Sequence, residues 1–541
     1  MQIREDLNKI LPAGFNSCRL LLAMKFKTLL LLLISLFTNK LFAQQDSAKN
    51  VVQRKQLFFS DSVSLALFNF SKNNPLLIKE LMPERISRLS IGQQLEQGKL
   101  VNAQGSTKTN LMYLSSDGSI NLSGLKLYGS FYYHKVFEDS TRFSHQSRNN
   151  TTTPYYYGSP TNNHYERSIY NFNTLATKNF LNNKISAGIG FDYHIADHFS
   201  NNDPRGSVKE YQLNSKISLG YNFTEKIKIG GGLNIGYGKE EVNIGYKNTA
   251  YFESTAYPRY VNYLINGYGE PDPKLANRNY TNGFSRLGYN GTIKILNTNF
   301  GSFYFNINQI EEKQVYNYRT PSGIYDLSKY NLSKLNLDLL WSKKLFNGTI
   351  STIANFISWD GEDFNTRYLA KNYVYTKKEI NIKVNYTVPR KKHLYNYVLA
   401  LNNFSEDRLD GITGNKINYD NILFNGNFGF QSHLSNYRSI GVNFGAHYIL
   451  PLKYVLFVNT GNEQLFTKEV IIHDYLYNTS SRLGGSVGGD YSFPFFKIMQ
   501  ASVKLNMVYT NKVDMNFLDR NVSSLPGSDR LFSSISLNLY F

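Results

Sequence analysis

The feature that most constrains this chain is a strict alternation of apolar and polar residues sustained over long runs. Ile380, Ile382, Val384, Tyr386 and Val388 alternate with Asn381, Lys383, Asn385 and Thr387. Ile227, Ile229, Leu233, Ile235 and Tyr237 alternate with Lys228, Asn234 and glycines, and Val503, Leu505, Met507 and Tyr509 with Lys504 and Asn506. A period of two places all the apolar side chains of a run on one face of a β-strand. Strands of a soluble sandwich average about 5–6 residues, whereas these runs reach about 15 or more. Long strands that are apolar on one side and polar on the other predict an all-β protein, a transmembrane antiparallel β-barrel with lipid outside and a wet lumen inside.

Composition narrows the choice further. Aromatics make up 15% of the 541 residues and charged residues 18%, and the mean hydropathy is −0.38 with no shift that would mark a linker. Beyond the N-terminal region there is no apolar run of the roughly 18 residues a membrane helix needs, which excludes a helical membrane protein. Met24 to Ala43 (MKFKTLLLLLISLFTNKLFA) reads as a secretory signal peptide: two lysines, a short apolar run and a small residue at the cleavage point. Translation is expected to start at Met24, with residues 1–43 removed, 44–84 forming a periplasmic segment that serves as a plug or lid, and 85–541 forming the barrel. Loss of 1–43 also removes Cys18 and lowers the net charge from +19 to +15. The mature chain then has no thiol chemistry and no disulfide framework.

Short turns are expected at Asp117-Gly118, Asn182-Asn183, Thr224-Glu225, Asn297-Thr298, Asn347-Gly348, Pro389 to His393, Ser435-Asn436 and Pro494 to Phe496. Longer connections fall near 97–106, 137–163, 199–206, 247–280, 319–328, 361–370, 409–415, 459–479 and 514–528. Together they predict eighteen strands, or sixteen if Ile86 to Leu95 is not a strand. Both termini then lie in the periplasm, with short turns inside and long loops outside. The last strand ends with Leu537, Leu539 and Phe541 on one face; a terminal aromatic after an alternating strand resembles the signal read by the barrel assembly machinery, with Ser536 where many such signals carry Gly. Trp341 and Trp359, on either side of the Asn347-Gly348 hairpin, are expected to join an interfacial aromatic girdle.

Four short patterns, Asp203-Pro204-Arg205, Tyr263 to Gly269 (YLINGYG), Gly361 to Asn365 (GEDFN) and Lys371-Asn372-Tyr373, resemble those of an uncharacterised Bacteroidota family of outer-membrane β-barrels. The resemblance runs from about residue 60 to the C-terminus and implies a Gram-negative outer-membrane location without an assigned activity.

A search for chemistry finds little. Asp192, His194 and His198 share a strand face, but four residues along a strand separate the two histidines by about 13 Å at 3.3 Å per residue, too far to share a metal ion. No G-x-S-x-G, H-E-x-x-H or phosphate-loop motif occurs, so no enzyme activity and no cofactor are expected; a hydrolase assembled at the rim is the least favoured reading. The acidic run Asp360 to Asp363 offers oxygens for a hard cation but not a demonstrable set of ligands. Gly230 to Gly232, Gly484-Gly485 and Gly488-Gly489 lie within strands and mark bends or close approach.

The primary expectation is therefore a channel or uptake-associated pore for small polar or anionic solutes, with Lys228, Lys383 and Lys504 facing the lumen. The alternative is an anchored interaction subunit whose loops bind a partner receptor or a surface glycan. Candidate loop contacts for that role are Asp203, Arg205, Tyr257, Tyr260, Tyr263, Tyr268, Glu362 and Asp363, since tyrosine supplies large contact area at low entropic cost. Outer-membrane lipid and lipopolysaccharide are the expected surroundings. Nucleic acid is excluded as a partner because the lysines are scattered among strands of an exported chain.

Overall fold

The computed structural model describes residues 58–541, except 148–150, 270, 273–277, 298, 435–436, 460–463, 497–498, 516–517, 519–521 and 523. The leader expected at 1–43 and the segment to 57 lie outside the described residues. Eighteen strands pair antiparallel in one closed sheet. Closure is made by the first strand, Arg85–Gln97, which pairs with its neighbour Lys108–Leu122 and also with the last strand, Asp529–Tyr540. Ile86 to Leu95 is thus a strand, and the count is eighteen rather than sixteen. Strand length varies from 12 residues in Asp529–Tyr540 to 23 in Gly323–Leu345. Among the described residues no helix is long and apolar enough to cross a membrane.

The alternation acts as the sequence implies. In Arg205–Asn222, Tyr211, Ile217, Leu219 and Tyr221 are exposed on the outer face, while Val208, Glu210 and Ser218 are buried on the inner one. In Ile227–Gly245 the outer face shows Ile229, Leu233, Ile235 and Tyr237. These apolar side chains form a continuous belt that begins at the short turns, as a wall facing hydrocarbon requires.

Three sequence expectations need correction. Asp117-Gly118 is not a turn: both residues lie within Lys108–Leu122, where Asp117 turns inward and accepts from Arg88 Nε at 2.9 Å. The hairpin bends instead at Ser123-Gly124, with φ of 49° and 85°, between the paired Leu122 and Leu125; two successive positive φ values suit a tight hairpin better than the Asp-Gly composition alone suggested. The connection expected at 319–328 contracts to the residues between the paired Thr320 and Gly323, because the alternating pattern continues to the tip of the hairpin. Finally, Trp359 is not on the lipid side. It pairs with the luminal Lys334 and lies between the ammonium groups of Lys334 and Lys377, at 5.3 and 5.1 Å. Trp341 alternates with the buried Leu340 and donates to the Phe300 carbonyl at 2.8 Å, close to a short turn.

The segment before the barrel enters the lumen at the short-turn end. Ser62–Ser71, ambiguous between strand and helix in sequence, is a helix: Asp61 caps it by accepting from Val63 N at 3.0 Å. Its apolar residues fit because the lumen surrounds it, with Phe59 and Phe68 packed against Tyr128 and Tyr540 of the wall. A 3₁₀ turn at Pro75–Leu77 follows, then a short helix at Ile78–Leu81. Leu76 occupies the space above Gly230, where any Cβ would collide with it, so this glycine records close approach by the plug. At the seam, Phe541 N and O pair with Ser87 O and N at 3.1 and 3.0 Å. Deleting Phe541 removes both bonds at the closure point. Membrane levels of the folded, heat-modifiable form are expected to fall, and unchanged gel mobility and abundance would argue against the assembly signal.

Candidate functional site

Two inward-folded layers delimit the lumen. The lower one is the plug, held by charge: Glu80 lies 2.6 Å from Lys294 Nζ and 3.6 Å from Lys228 Nζ, and Lys228 also donates to the Leu76 carbonyl at 3.3 Å. Polar contacts seat the rest, with Asn73 donating to Asp338 at 3.0 Å and Asn74 to Asn290 at 2.9 Å. The Ser62 amide donates to Asn396 at 3.1 Å on the opposite wall. Charged plug groups facing charged wall groups at this burial fix position, since an unpaired partner would be costly.

The upper layer is built from the loops. Tyr155–Gly158 pairs with Tyr263–Asn266, which pairs with Pro271–Asp272, to make a small sheet across the mouth. A helical segment at Thr467–Asn478 packs beside it, and Phe466, Val470, Ile471 and Leu476 form one apolar core with Tyr155, Leu264, Ile265 and the inward-facing Tyr316, Tyr330 and Tyr373 of the wall. Arg408 fastens this lid. It is held by Glu406 at 2.6 Å, donates to the Tyr156 hydroxyl and the Thr151 carbonyl, and lies 5.7 and 5.2 Å from the Tyr268 and Tyr375 rings. Glu469 receives Arg142 at 2.6 Å and Arg259 at 3.4 Å, and His473 bonds Ser524 and the Val101 carbonyl at 2.9 Å each.

Between plug and lid lies a polar chamber of about 490 Å³ against the strands that run from Leu125 to Leu345. Its charged groups come from alternate positions of neighbouring strands, which is why they converge. Glu312 is paired with both Arg286 and Lys334, the latter at 3.0 Å. Asp192 faces Lys216 at 3.7 Å and receives the Asn173 amide; His194 Nε2 is 3.4 Å from Glu210. Asn171, Asn214, Asn234 and Asn308 fill the remaining lining, and Asn214 receives Arg286 at 3.0 Å. Positive and negative groups are therefore matched within the wall, leaving amide donors and acceptors directed at the space.

The sequence candidates separate cleanly. Lys228 is buried beneath the plug; Lys504 stands opposite Asp490 on the luminal face; Lys383 alternates with the exposed Ile380 and Ile382 and is itself exposed. Tyr268 is buried in the lid core, as are Tyr155 to Tyr157, and so is not a surface contact. Tyr263 is partly buried there, with its hydroxyl on the Pro258 carbonyl at 2.8 Å. Tyr257 is 50% exposed, beside Tyr251 and the stacked Tyr260. Asp203 accepts from the Lys247 and Asn248 amides at 2.8 Å each and pairs with Arg205 at 3.1 Å, which shapes a loop. Asp363 is buried, accepting from the Asn372 and Tyr373 amides at 2.9 and 2.7 Å, while Glu362 holds Lys371 at 2.6 Å. Those two carboxylates brace their loop rather than converge, and among the described residues no group of acidic, His or Cys side chains has metal-binding geometry. Leu537 faces outward, 40% exposed, in line with Leu539 and next to the Phe541 closure. Sequence reasoning missed Glu80, Arg286, Glu312, Lys334 and Arg408. Glu311-Glu312 and Glu406-Asp407-Arg408 place charges on consecutive residues, so parity alone does not say which face the lumen.

A family model described as "Family of unknown function (DUF6850)" matches residues 75–541. The chain belongs to that family. In DUF6850 terms, the match takes in every barrel strand together with the later part of the plug, from Pro75 onward. No curated protein matches the chain. Among solved structures, this DUF6850 barrel is similar to BauA, the ferric preacinetobactin receptor from Acinetobacter baumannii, at 10% identity and a TM-score of 0.42, over 84% of this chain and 80% of that one. It is also similar to the FrpB iron transporter from Neisseria meningitidis, at 8% identity and a TM-score of 0.37 over 86% and 82%. The ferric-catecholate import receptor Fiu from E. coli K12 matches at 11% identity and a TM-score of 0.37 over 85% and 82%.

The lid of this DUF6850 barrel carries its own pH dependence. Phe143 and His145 extend the lid by donating to the Ser159 and Tyr157 carbonyls at 3.0 and 2.9 Å. Burial, reinforced by the Arg167 charge, pushes the His145 imidazole down to about 3. Below its ordinary value of 6.5, an undocked loop binds a proton that the docked one refuses. Docking is thus at full strength above about 6.5 and weakens as pH falls toward 3, by up to ~1.4 kcal/mol per unit. Amide exchange at Phe143 and His145, corrected for intrinsic rate, is expected to be faster at pH 5 than at pH 7.5; equal protection would contradict the assignment.

Proposed function

We propose that this protein is an outer-membrane uptake barrel for small polar solutes, working through a chamber that is closed at rest on both sides. The observation that carries the reading is the polar chamber itself, lying between a charge-anchored plug and a packed lid within a wall whose outer belt is apolar. A cavity of this size lies in the usual range for a small-molecule site, about 300–1,000 Å³. Its amides and matched charges suit a hydrogen-bonding solute more than an apolar one. Anion preference draws on Lys383: Lys228 and Lys294 are buried beneath the plug, where Glu80 offsets one of their two charges, and Lys504 faces Asp490. The test is swelling of liposomes that contain the folded full chain, with solutes graded by size and charge. Slow entry of small neutral polar solutes, with entry of anions lowered by Lys383→Glu, is the expected result. A folded barrel that admits none of them, even when Glu80→Lys and Arg408→Met together release plug and lid, would reject the uptake reading.

The second reading, a barrel-anchored interaction subunit, is favoured by one surface. Tyr251, Tyr257 and Tyr260 cluster beside exposed Phe252 on the rim outside the lid. Deleting residues 251–260 spares the lid strand Tyr263–Asn266, so loss of a co-purifying partner from a folded variant would support this role, and full retention would exclude it for that loop.

A further inference from the structure

The short-turn end of the barrel carries a repeated pairing that neither the chamber nor the lid uses. At the tips of six of the eight short turns, Leu181 is 69% exposed, Phe223 61%, Phe300 69%, Phe346 91%, Leu434 47% and Phe496 75%. Cations stand in or beside these turns: Lys184, Lys226 and Arg438 share a turn with an apolar tip, Lys344 is two residues before Phe346, and Arg390, Lys391 and Lys392 form the neighbouring turn, all of them exposed. Glu225 is the acidic residue among the described residues of these turns. A turn exposed to water gains nothing from a phenylalanine, and tight turns ordinarily draw on Gly, Asn, Asp, Ser and Pro.

We propose that this face is a docking surface for the headgroup layer of anionic phospholipid, with the apolar tips entering the acyl boundary and the adjacent cations holding lipid phosphates. Three observations favour lipid over a protein partner. The apolar tips recur at six of the eight short turns around the circumference instead of gathering into one patch, and only a planar layer offers the same chemistry all round. Each lies next to the end of the outer apolar belt, which places it at the depth where hydrocarbon gives way to headgroups. The excess of positive charge matches a negative surface and would be drawn to it, while the long stems of Lys and Arg allow the charge to reach the phosphates from the edge of the belt. The inference concerns the outside of the barrel and does not depend on what the chamber carries.

Trp341 makes this testable. The chain has two tryptophans; Trp359 is luminal, and Trp341 lies on the outer side near the Phe346 turn. In a Trp359→Phe background, the folded full chain is reconstituted in phosphatidylcholine vesicles that contain equal mole fractions of either brominated phosphatidylglycerol or brominated phosphatidylcholine. Quenching of Trp341 is expected to be at least twofold more effective with the phosphatidylglycerol probe. Neutralising Lys344, Arg390, Lys391 and Lys392 to Gln should bring the ratio to one, with heat-modifiable mobility confirming that the barrel is intact. Equal quenching by the two probes in the parent, or a preference that survives neutralisation, would overturn the proposal. So would a Trp341 that neither probe quenches, since the turn face would then lie out of contact with lipid and a protein partner would be the better explanation.

Discussion

Glu80→Lys should free the plug from its seat while leaving the wall intact. The carboxylate sits between Lys294 and Lys228, whose side chains are only 10% and 3% exposed. Reversing its charge leaves three ammonium groups together at a buried seat. Breaking one buried pair costs about 3–5 kcal/mol, and the loss here falls on plug docking rather than on the wall, whose strands pair independently of Glu80. Backbone amides of Ser62–Ser71 are expected to exchange at least a hundredfold faster in the variant than in the parent, with protection in Arg205–Asn222 unchanged. Heat-modifiable mobility should be the same for both. A folded Glu80→Lys protein with the parent's protection at Ser62–Ser71 would show that Glu80 is not what holds the plug.

The second large effect is expected at the other end. Arg408→Met keeps the length and apolar stem of the side chain but removes the charge that joins Glu406, Tyr156 and Thr151. Glu406 is then left without its 2.6 Å partner in a setting where its side chain is 17% exposed. The cost for a buried pair, about 3–5 kcal/mol, applies at its lower end because of that residual exposure, and loss of the contacts to two tyrosine rings adds about 0.5–1 kcal/mol. The lid core should loosen while the strands hold. Backbone amides of Tyr155–Gly158 and Tyr263–Asn266 are expected to exchange at least a hundredfold faster, with protection in Arg205–Asn222 unchanged. Uniform loss of protection in both regions would mean that Arg408 supports the barrel and not the lid.

The wall was far more legible in the sequence than the layers inside it, for a physical reason. A strand that faces lipid on one side must alternate, so residues such as Ile380 to Val388 state both their conformation and their orientation. The register then follows from a chain of hairpins, and the eighteen-strand count with it. Lid and plug are held by contacts between segments distant in sequence. Tyr268 looks like a surface contact residue until the lid core closes over it. Asp117-Gly118 looks like a turn until Arg88 arrives from the preceding strand. Glu80 gives no local sign that two lysines from distant hairpins await it. The chamber lies between these cases: its alternate polar positions are visible one strand at a time, but which of them oppose each other depends on register, and the ion pairs around Glu312 exist only there.

The unequal strands have one more consequence. The first and last strands share ten registered pairs, Arg88 to Gln97 against Tyr540 to Leu531, whereas Gly301–Thr320 and Gly323–Leu345 share nineteen. A cylinder that must part sideways does so where the fewest inter-strand bonds have to break together, and here that place is the join between the two ends of the barrel. The same short join is the last to form as the wall closes, so the line along which the molecule is completed is also the line along which it gives way most readily.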